Sequence, residues 1–418
     1  MLNVNFNTKT PWSSGVALKI INILGGSEKT LVVGGAVRDW LTDNPVKDID
    51  FASKFLPEKS IKLLTDAGFK VKPIGFDHGT IAVYHDNKSY EITTLRKDIL
   101  TDGRHAQVVF GDDWKEDSLR RDFTFNSLYA DEYGNIMDPT GKGFKDIENK
   151  ILRFIGEPNQ RIKEDYLRII RYFRFLSNYA DNIDKNSFKA CINNAKSIRL
   201  LSSERIIQEF NKIFKDINCL GAINILIKYN LLQYIYSVSS FNNFKPKKKY
   251  LSAILKKLFN RDNLLKNPFL FFTSLMISLT DIETHDHKSM VKKVAKNLNF
   301  SKNDEYLMLQ IILWVKNINN ISKEEIYKAW LDFGKDTINY LKIIFEVFSS
   351  IKDKNIIYVL NNAPPLFPCS GQDAIKIGFK EGKNIGKALN NVREWWIKND
   401  CKPSRKDCLK ILKKEYNT

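Results

Sequence analysis

The chain has 418 residues, too many for one compact core, so two or more domains are expected. A hydrophobic share of 43% and a charged share of 27% are those of an ordinary soluble protein, and the longest apolar run, Phe269 to Leu279, is too short and too interrupted by Ser and Thr to span a bilayer. Lys+Arg 66 against Asp+Glu 48 leaves a formal charge of +18, which favours polyanionic partners, nucleic acid above all. The first residues lack the pattern of a secretory signal, and the five cysteines are scattered without a CxxC pair. That argues against a disulfide framework and a zinc site, and fits a reducing cytosol.

In chain order, Leu31 to Val33 reads as a strand broken by Gly34-Gly35, with a helix starting near Val37. Two glycines between a strand and a helix N-terminus let backbone N–H groups approach a phosphate, and Arg38, one turn inside, is placed to clamp it. Asp48 to Ala52 reads as a second strand, in which alternation puts Asp48 and Asp50 on one face. Two carboxylates that close repel each other unless a cation neutralises them, and hard oxygen ligands select Mg²⁺, which keeps substrate phosphates in its shell. Pro57 to Ala67 reads as a helix stopped by Gly68, and Thr80 to Tyr84 and Tyr90 to Leu95 as a hairpin about Asp86-Asn87. Between Arg96 and Arg120 lies a polar segment with Gly103 and Gly111 as hinge points, and the mixed charge of its opening part, Lys97, Asp98, Asp102 and Arg104, suits a hinged loop better than a core.

In DSLRRDFTFNSLYAD, Arg120, Arg121 and Asp122 fall near the start of an expected helix, with Asn126 one turn on. Arg121 suits a phosphate, and Asp122 or Asn126 a ribose hydroxyl. In RIKEDYLRIIRYFRF, Asp165 and Arg168 are neighbours on one face of an expected helix whose apolar residues bury it, so the charges need a partner. Cytosine and adenine each offer an amino donor beside a ring-nitrogen acceptor, which a carboxylate and a guanidinium match; uracil and guanine present the reverse. One Asp-Arg pair of this kind admits CTP and ATP and refuses UTP and GTP. Beyond about residue 150 the apolar spacing is helical throughout, Phe244 to Lys257 is basic, and Pro364-Pro365 and Pro368 mark a joint before a helix about Trp395-Trp396.

Together these elements resemble the class II tRNA nucleotidyltransferases, the bacterial CCA-adding enzymes and their poly(A) polymerase relatives. The match is nearly continuous from Leu31 to Phe175, with DHGT and EITTLRKDILTDGR within it, and is looser at LSSERI and in FPCSGQDAIKIGFKEGKNIGKAL. The resemblance implies an α+β protein: an α/β nucleotidyltransferase head over 1–150, a helical neck over 151–215, a helical body over 216–345 and an RNA-binding tail over 346–418. It puts the Mg²⁺ ligands on Asp48 and Asp50 and the triphosphate contacts on Gly34, Gly35, Arg38 and Arg121. Base reading falls on Asp165 and Arg168, with Arg171 and Arg174 as further nucleotide contacts; ideal helical geometry turns Arg174 half a circle from Asp165. Glu91 is a third acidic residue that the motif does not fix. The implied substrates are tRNA, CTP and ATP, in the cytoplasm, with no membrane and no protein partner. Poly(A) synthesis, or addition of CC or A alone, are the rival activities; IGFDHGT in place of a basic Gly-Arg-Arg-Phe-like segment favours CCA addition. His285-Asp286 lacks the surrounding histidines of a metal centre and reads as a polar loop.

Overall fold

The computed structural model describes residues 9–102, 105–216, 218–236, 248–259, 268–279, 286–349 and 353–416. The chain divides into two compact units, Met1–Glu209 with Asp216–Ile235, and Phe210–Lys215 with Tyr236–Thr418.

The first unit opens with α1 (Gly15–Ile23), β1 (Thr30–Val33), α2 (Gly35–Leu41), β2 (Asp50–Ser53), α3 (Pro57–Asp66), β3 (Lys70–Gly75), β4 (Thr80–His85) and β5 (Lys88–Thr94). A two-stranded ribbon follows, β6 (Arg96–Asp102) with β7 (His105–Phe110), then α4 (Trp114–Leu119), β8 (Tyr129–Ala130), β9 (Ile136–Met137) and α5 (Gly143–Glu148). The helical part of this unit includes α6 (Pro158–Glu164), α7 (Leu167–Tyr179), α8 (Lys185–Asn193), the first residues of α9 (Ser203–Phe214) and the helix Cys219–Lys228. The sheet has the order β3-β4-β5-β2-β1-β8-β9, with β2 and β5 parallel and its other neighbouring strands antiparallel.

Alternation decides what each face of the sheet does. Val32, Phe51, Ile81, Val83 and Ile92 point into one core with Ile20 and Ile21 of α1 and Leu64 of α3. On the opposite face Leu31, Val33, Ala52 and Tyr129 form a smaller cluster against Leu95 and Trp114. Asp50 of β2 and Glu91 and Thr93 of β5 lie on this second face, the face of that cluster. The hairpin expected about Asp86-Asn87 is present, with both residues at positive φ, 47° and 59°, as a two-residue turn matching the strand twist requires.

Three expectations about local structure are corrected. Asp48 lies outside the strand: β2 begins at Asp50, and Asp48 is exposed in the connection that precedes it. Arg120 to Asn126 is not the start of an α-helix, because α4 ends at Leu119; Thr124–Ser127 is a single 3₁₀ turn and Tyr129-Ala130 is a strand. Its apolar residues fit a strand or a helix equally over so short a run, and pairing with β1 decides. Residues 98–102 and 105–110 pair as a ribbon with Arg96 opposite Phe110, whereas a loop was expected; Gly103 and Arg104 lie outside the described residues.

The second unit is helical, with helices at Lys248–Phe259, Pro268–Leu279, His287–Asn297, Lys302–Lys316, Lys323–Phe348, Lys354–Asn361, Gly371–Ile377, Lys383–Lys398 and Arg405–Tyr416. Pro268–Leu279 is the apolar run noted above, and Phe271 and Phe272 in it are fully buried. Trp396, Cys408 and Leu412 centre a separate cluster at the C-terminal end. The basic run before Lys248 and His285 lie outside the described residues, while Asp286 caps the helix that follows by accepting from the Ser289 N–H at 3.1 Å. Among the described residues no helix is long and apolar enough to cross a membrane.

Candidate active site

On the second face of the sheet a cleft of about 520 Å³ opens within the first unit. That volume falls in the range of small-molecule sites. Gly34, Gly35, Arg38, Asp50, Arg121, Asp165, Arg168, Arg171 and Arg174 all line it; Asp48 does not, and stands next to Asp50 at its edge. Thr80, Glu91, Thr93, Arg96, Arg120, Asp122 and Asn126 line it as well.

The acidic end is built by the sheet. Parallel pairing of β2 with β5 sets Asp50 beside Glu91, so both carboxylates leave the sheet on the same side. Burial, then the charge of Glu91 and then that of Asp48, pushes the Asp50 carboxyl up from 3.8 to about 6, although Arg121 pulls the other way. Among the described residues Asp48, Asp50 and Glu91 accept no hydrogen bond and form no ion pair. The repulsion is therefore offset only by the pull of Arg121, which is not bonded to these carboxylates.

The Gly-Gly turn forms the floor. Gly34 has φ 71°, which favours glycine, and its N–H donates to the Leu128 carbonyl at 3.1 Å. A Cβ there would meet Arg121 Nη1 at 3.6 Å, so the bare backbone sits directly beneath that guanidinium. Because α2 has only seven residues, the charge of a bound anion falls chiefly to the arginines.

Those arginines are held by carboxylates beneath them. Asp117, buried, accepts from Arg120 Nε at 2.8 Å, Arg121 Nη2 at 3.0 Å and the Tyr129 hydroxyl at 2.6 Å. Burial would raise its pKa, but Arg121 and Arg120 outweigh burial and hold it at about 2. Asp122 accepts from Arg171 Nη2 at 2.5 Å and from Asn126 Nδ2 at 3.1 Å; against its own burial, Arg171 keeps it at about 2. Arg174 Nε donates to Glu209 Oε1 at 2.5 Å. Arg161 donates to the carbonyls of Arg120 and Arg121 at 2.6 Å, tying that segment to α6; burial and then Arg168 lower its pKa to about 10.

Arg38 lines the cleft and is itself held by neighbours. Its Nη1 donates to Asn126 Oδ1 at 2.7 Å, its Nε to Asp39 at 2.9 Å, and its guanidinium lies 4.2 Å from the Tyr179 ring centroid. It is buried.

Asp165 and Arg168 meet the cleft as expected, but not on one continuous helix. Asp165 ends α6 with φ −156° and ψ 105°, and its Oδ1 accepts from the N–H of Leu167, the first residue of α7. Oδ2 accepts from Arg205 at 2.8 Å, while Arg168 donates to Glu164 and to the Arg161 carbonyl, each at 2.7 Å. The break at Asp165 removes the half-turn objection to Arg174, which does line the cleft. Asp117 and Glu164, each four residues before its arginine, were open to an i,i+4 reading of the sequence. Glu209, 35 residues from Arg174, had no such signal.

A cleft with bare glycine backbone, anchored arginines and a carboxylate pair on a mixed sheet defines a nucleotidyltransferase head. The family described as "Poly A polymerase head domain" matches residues 30–153, and "Probable RNA and SrmB- binding site of polymerase A" matches 182–239. The human mitochondrial CCA tRNA nucleotidyltransferase 1 is 32% identical over 394 residues, covering 92% of this chain and 86% of that protein. The CCA-adding enzyme of Streptococcus mutans is 29% identical, covering 92% and 93% of the two chains. In fold, the crystal structure of the Bacillus stearothermophilus CCA-adding enzyme in complex with CTP superposes with a TM-score of 0.69 at 24% identity, over 96% of this chain and 97% of that one. The chain belongs to the CCA tRNA nucleotidyltransferase family and is a nucleotidyltransferase enzyme.

Divalent metal use comes with that family, and the donors present fit it. Asp48, Asp50 and Glu91 are hard oxygen donors whose mutual repulsion a cation would relieve. Among the described residues no three His, Cys, Asp or Glu side chains gather into a closed ligand set. An open site of one or two carboxylates, completed by substrate phosphates, is the form magnesium favours.

Proposed function

We propose that this enzyme adds C, C and A to the 3′ end of tRNA from CTP and ATP, without a nucleic-acid template and with release of pyrophosphate. The observation that carries this reading is one cleft with unpaired carboxylates at one end and Asp165 with Arg168 at the other. Asp48 and Asp50 hold Mg²⁺, which when bound lowers the pKa of the attacking hydroxyl and offsets charge on the transferring phosphoryl group. Gly34 and Gly35 let the triphosphate approach the backbone, and Arg121, fixed by Asp117, meets its charge. Arg38, at the triphosphate side of the cleft, also fixes Asn126, which with Asp122 is a candidate for the ribose hydroxyl. Asp165 accepts from the amino group of cytosine or adenine, and Arg168 donates to the adjacent ring nitrogen. Arg171 and Arg174 close the nucleotide side of the cleft. No covalent enzyme intermediate is needed, because the 3′ hydroxyl of the RNA is itself the nucleophile.

We assign catalysis to 1–150, nucleotide selection to 151–215, and RNA holding to the helical residues 216–345 and 346–418, by phosphate contacts. Five free, buried cysteines favour a reducing compartment, and we place the enzyme in the cytoplasm. The test is to incubate the purified protein with tRNAs ending before the first C, before the second C and before the A, each nucleotide offered singly. Ordered incorporation of C, C and A is expected. Unlimited runs of A would make the enzyme a poly(A) polymerase, and an arrest after CC or a need for a CC end would make it a partial enzyme.

A further inference from the structure

The sheet face that carries Asp50 does not stop at the cleft. Cross-strand pairing aligns Asp50 with Glu91, Glu91 with Ala82, and Ala82 with Lys72, so one row crosses β2, β5, β4 and β3 to the edge of the sheet. Laterally paired residues share a face, and Val71, Ile81, Val83 and Ile92, which alternate with this row, are in the core on the other side. At about 4.8 Å per strand, Lys72 is about 14 Å from Asp50 along the row, enough to seat the last few nucleotides of a single strand.

The outer part of this face is basic and aromatic. Lys70 pairs with Tyr84 in register, both lysines are exposed, and Tyr84 is 39% exposed. Lys72 Nζ lies 5.8 Å from the Tyr84 ring centroid, which holds its charge beside an open π face. The carboxylates of the row are at its catalytic end, and its one cation, Lys72, is at the other, with Lys70 two residues along the edge strand. An aromatic ring beside ammonium groups is the chemistry that binds unpaired nucleotides, by stacking on the ring and by phosphate neutralisation. Pro73 and the register shift between Pro73 and Gly75 interrupt the edge strand, so another β-strand is a poor occupant for it.

We infer that the exposed Lys70, Lys72 and Tyr84 on the outer face of β3 and β4 guide the unpaired 3′ end of the RNA toward Asp50, over the side chains that cover Ala82, with Tyr84 as the stacking surface and Lys72 and Lys70 as phosphate contacts. The inference rests on the RNA-extending activity proposed above.

The experiment compares two RNAs, a tRNA ending in CC and the same tRNA trimmed to a blunt acceptor stem. Their binding is measured for the wild type and for Tyr84→Ala, Tyr84→Phe, Lys72→Ala and Lys72→Arg. Tyr84→Ala should weaken binding of the CC-ended tRNA by about fivefold to a hundredfold, the span of base–aromatic stacking, while Tyr84→Phe keeps it. Lys72→Ala should weaken it severalfold and lower the slope of log affinity against log salt by about 0.7, the share of one single-strand phosphate contact, and Lys72→Arg should restore both. Binding of the blunt RNA should change less than about twofold in every variant, because that RNA has no unpaired end to seat. Equal weakening of both RNAs would reduce the lysines to a general positive field and overturn the guiding role, as would no weakening of either. A wild type unable to extend any tRNA would sink the proposed activity instead, whatever the binding pattern.

Discussion

The two ends of the cleft handle charge in opposite ways. At the sheet end Asp50 and Glu91 stand together without a protein cation bound to them, and the Asp50 carboxyl is driven up to about 6. At the helical end Arg120, Arg121, Arg171 and Arg174 are each bonded to a buried or half-buried carboxylate, and Asp117 and Asp122 are held at about 2. Charges left uncompensated mark where something must arrive; charges compensated from below mark what must not move. The sheet end awaits a cation with its phosphates, while the helical end is a preorganised surface that costs no rearrangement when the nucleotide binds.

The largest expected effect breaks the first end. Asp50→Asn should lower the rate of nucleotide addition by about a thousandfold or more, since metal-ion catalysis is worth several kcal/mol of transition-state stabilisation. Affinity for tRNA should stay within about twofold of wild type, because the RNA is held by cations elsewhere. Single-turnover rates and filter binding on the same samples check both, and a variant with a tenth of the normal rate would remove Asp50 from the metal site.

Stability sharpens the contrast, because the two ends should respond with opposite sign. Asp117→Asn leaves Arg120 and Arg121 without their buried partner and should cost about 3 kcal/mol, as breaking a buried ion pair does. Asp50→Asn should instead stabilise the metal-free protein. The folded pKa of Asp50 is above the unfolded one, so between about pH 4 and 6 the unfolded chain holds fewer protons and stability falls as pH rises. The loss is at most about 3 kcal/mol and is complete above pH 6. Asp117 and Asp122 act in reverse: their contribution is present above about pH 4 and is lost as pH falls toward 2. Urea denaturation in chelator at pH 4 and pH 7 should therefore show the gain of Asp50→Asn at pH 7 alone. A gain of equal size at both pH values would mean that the carboxyl's charge is not its cause.

The smallest effect concerns which base enters. Arg168→Ala should lower the preference for CTP over UTP by about tenfold to a hundredfold, the value of the lost hydrogen bonds to the base edge. Affinity for pyrophosphate should barely change. Preference measured by competition between the two nucleotides decides it, and an unaltered ratio would take base reading away from Arg168.

Much of this site was legible before folding. Gly34-Gly35, Asp50, Arg121, Asp165 and Arg168 reach one cleft from motifs readable in a single pass, because turn chemistry and the type of charged group are local properties. Register and element type were less so. Asp48 was read into a strand that starts two residues later, and Arg120 to Asn126 into a helix that is a 3₁₀ turn and a strand. Short apolar runs satisfy both periods, and the pairing of β8 with β1 settles which one wins. The partners of Arg38 were not legible either: its type fits a phosphate clamp, while the Tyr179 ring and the Asn126 amide that hold its guanidinium come from distant segments.

By itself, then, the sequence determined the chemistry on offer: a bare glycine turn, acidic and basic groups in fixed order, a helical C-terminal part, and an excess of positive charge. These follow from residue type and from spacings within one turn or one strand. The tertiary structure alone decided which charges are compensated. Glu91 reaches Asp50 across a parallel strand pair, Glu209 reaches Arg174 from 35 residues away, and Lys72 joins the row of Asp50 through two further strands. The reason is that an ion pair or a repulsion depends on distance and burial, and both are set by how the hydrophobic faces of separate elements close on one another.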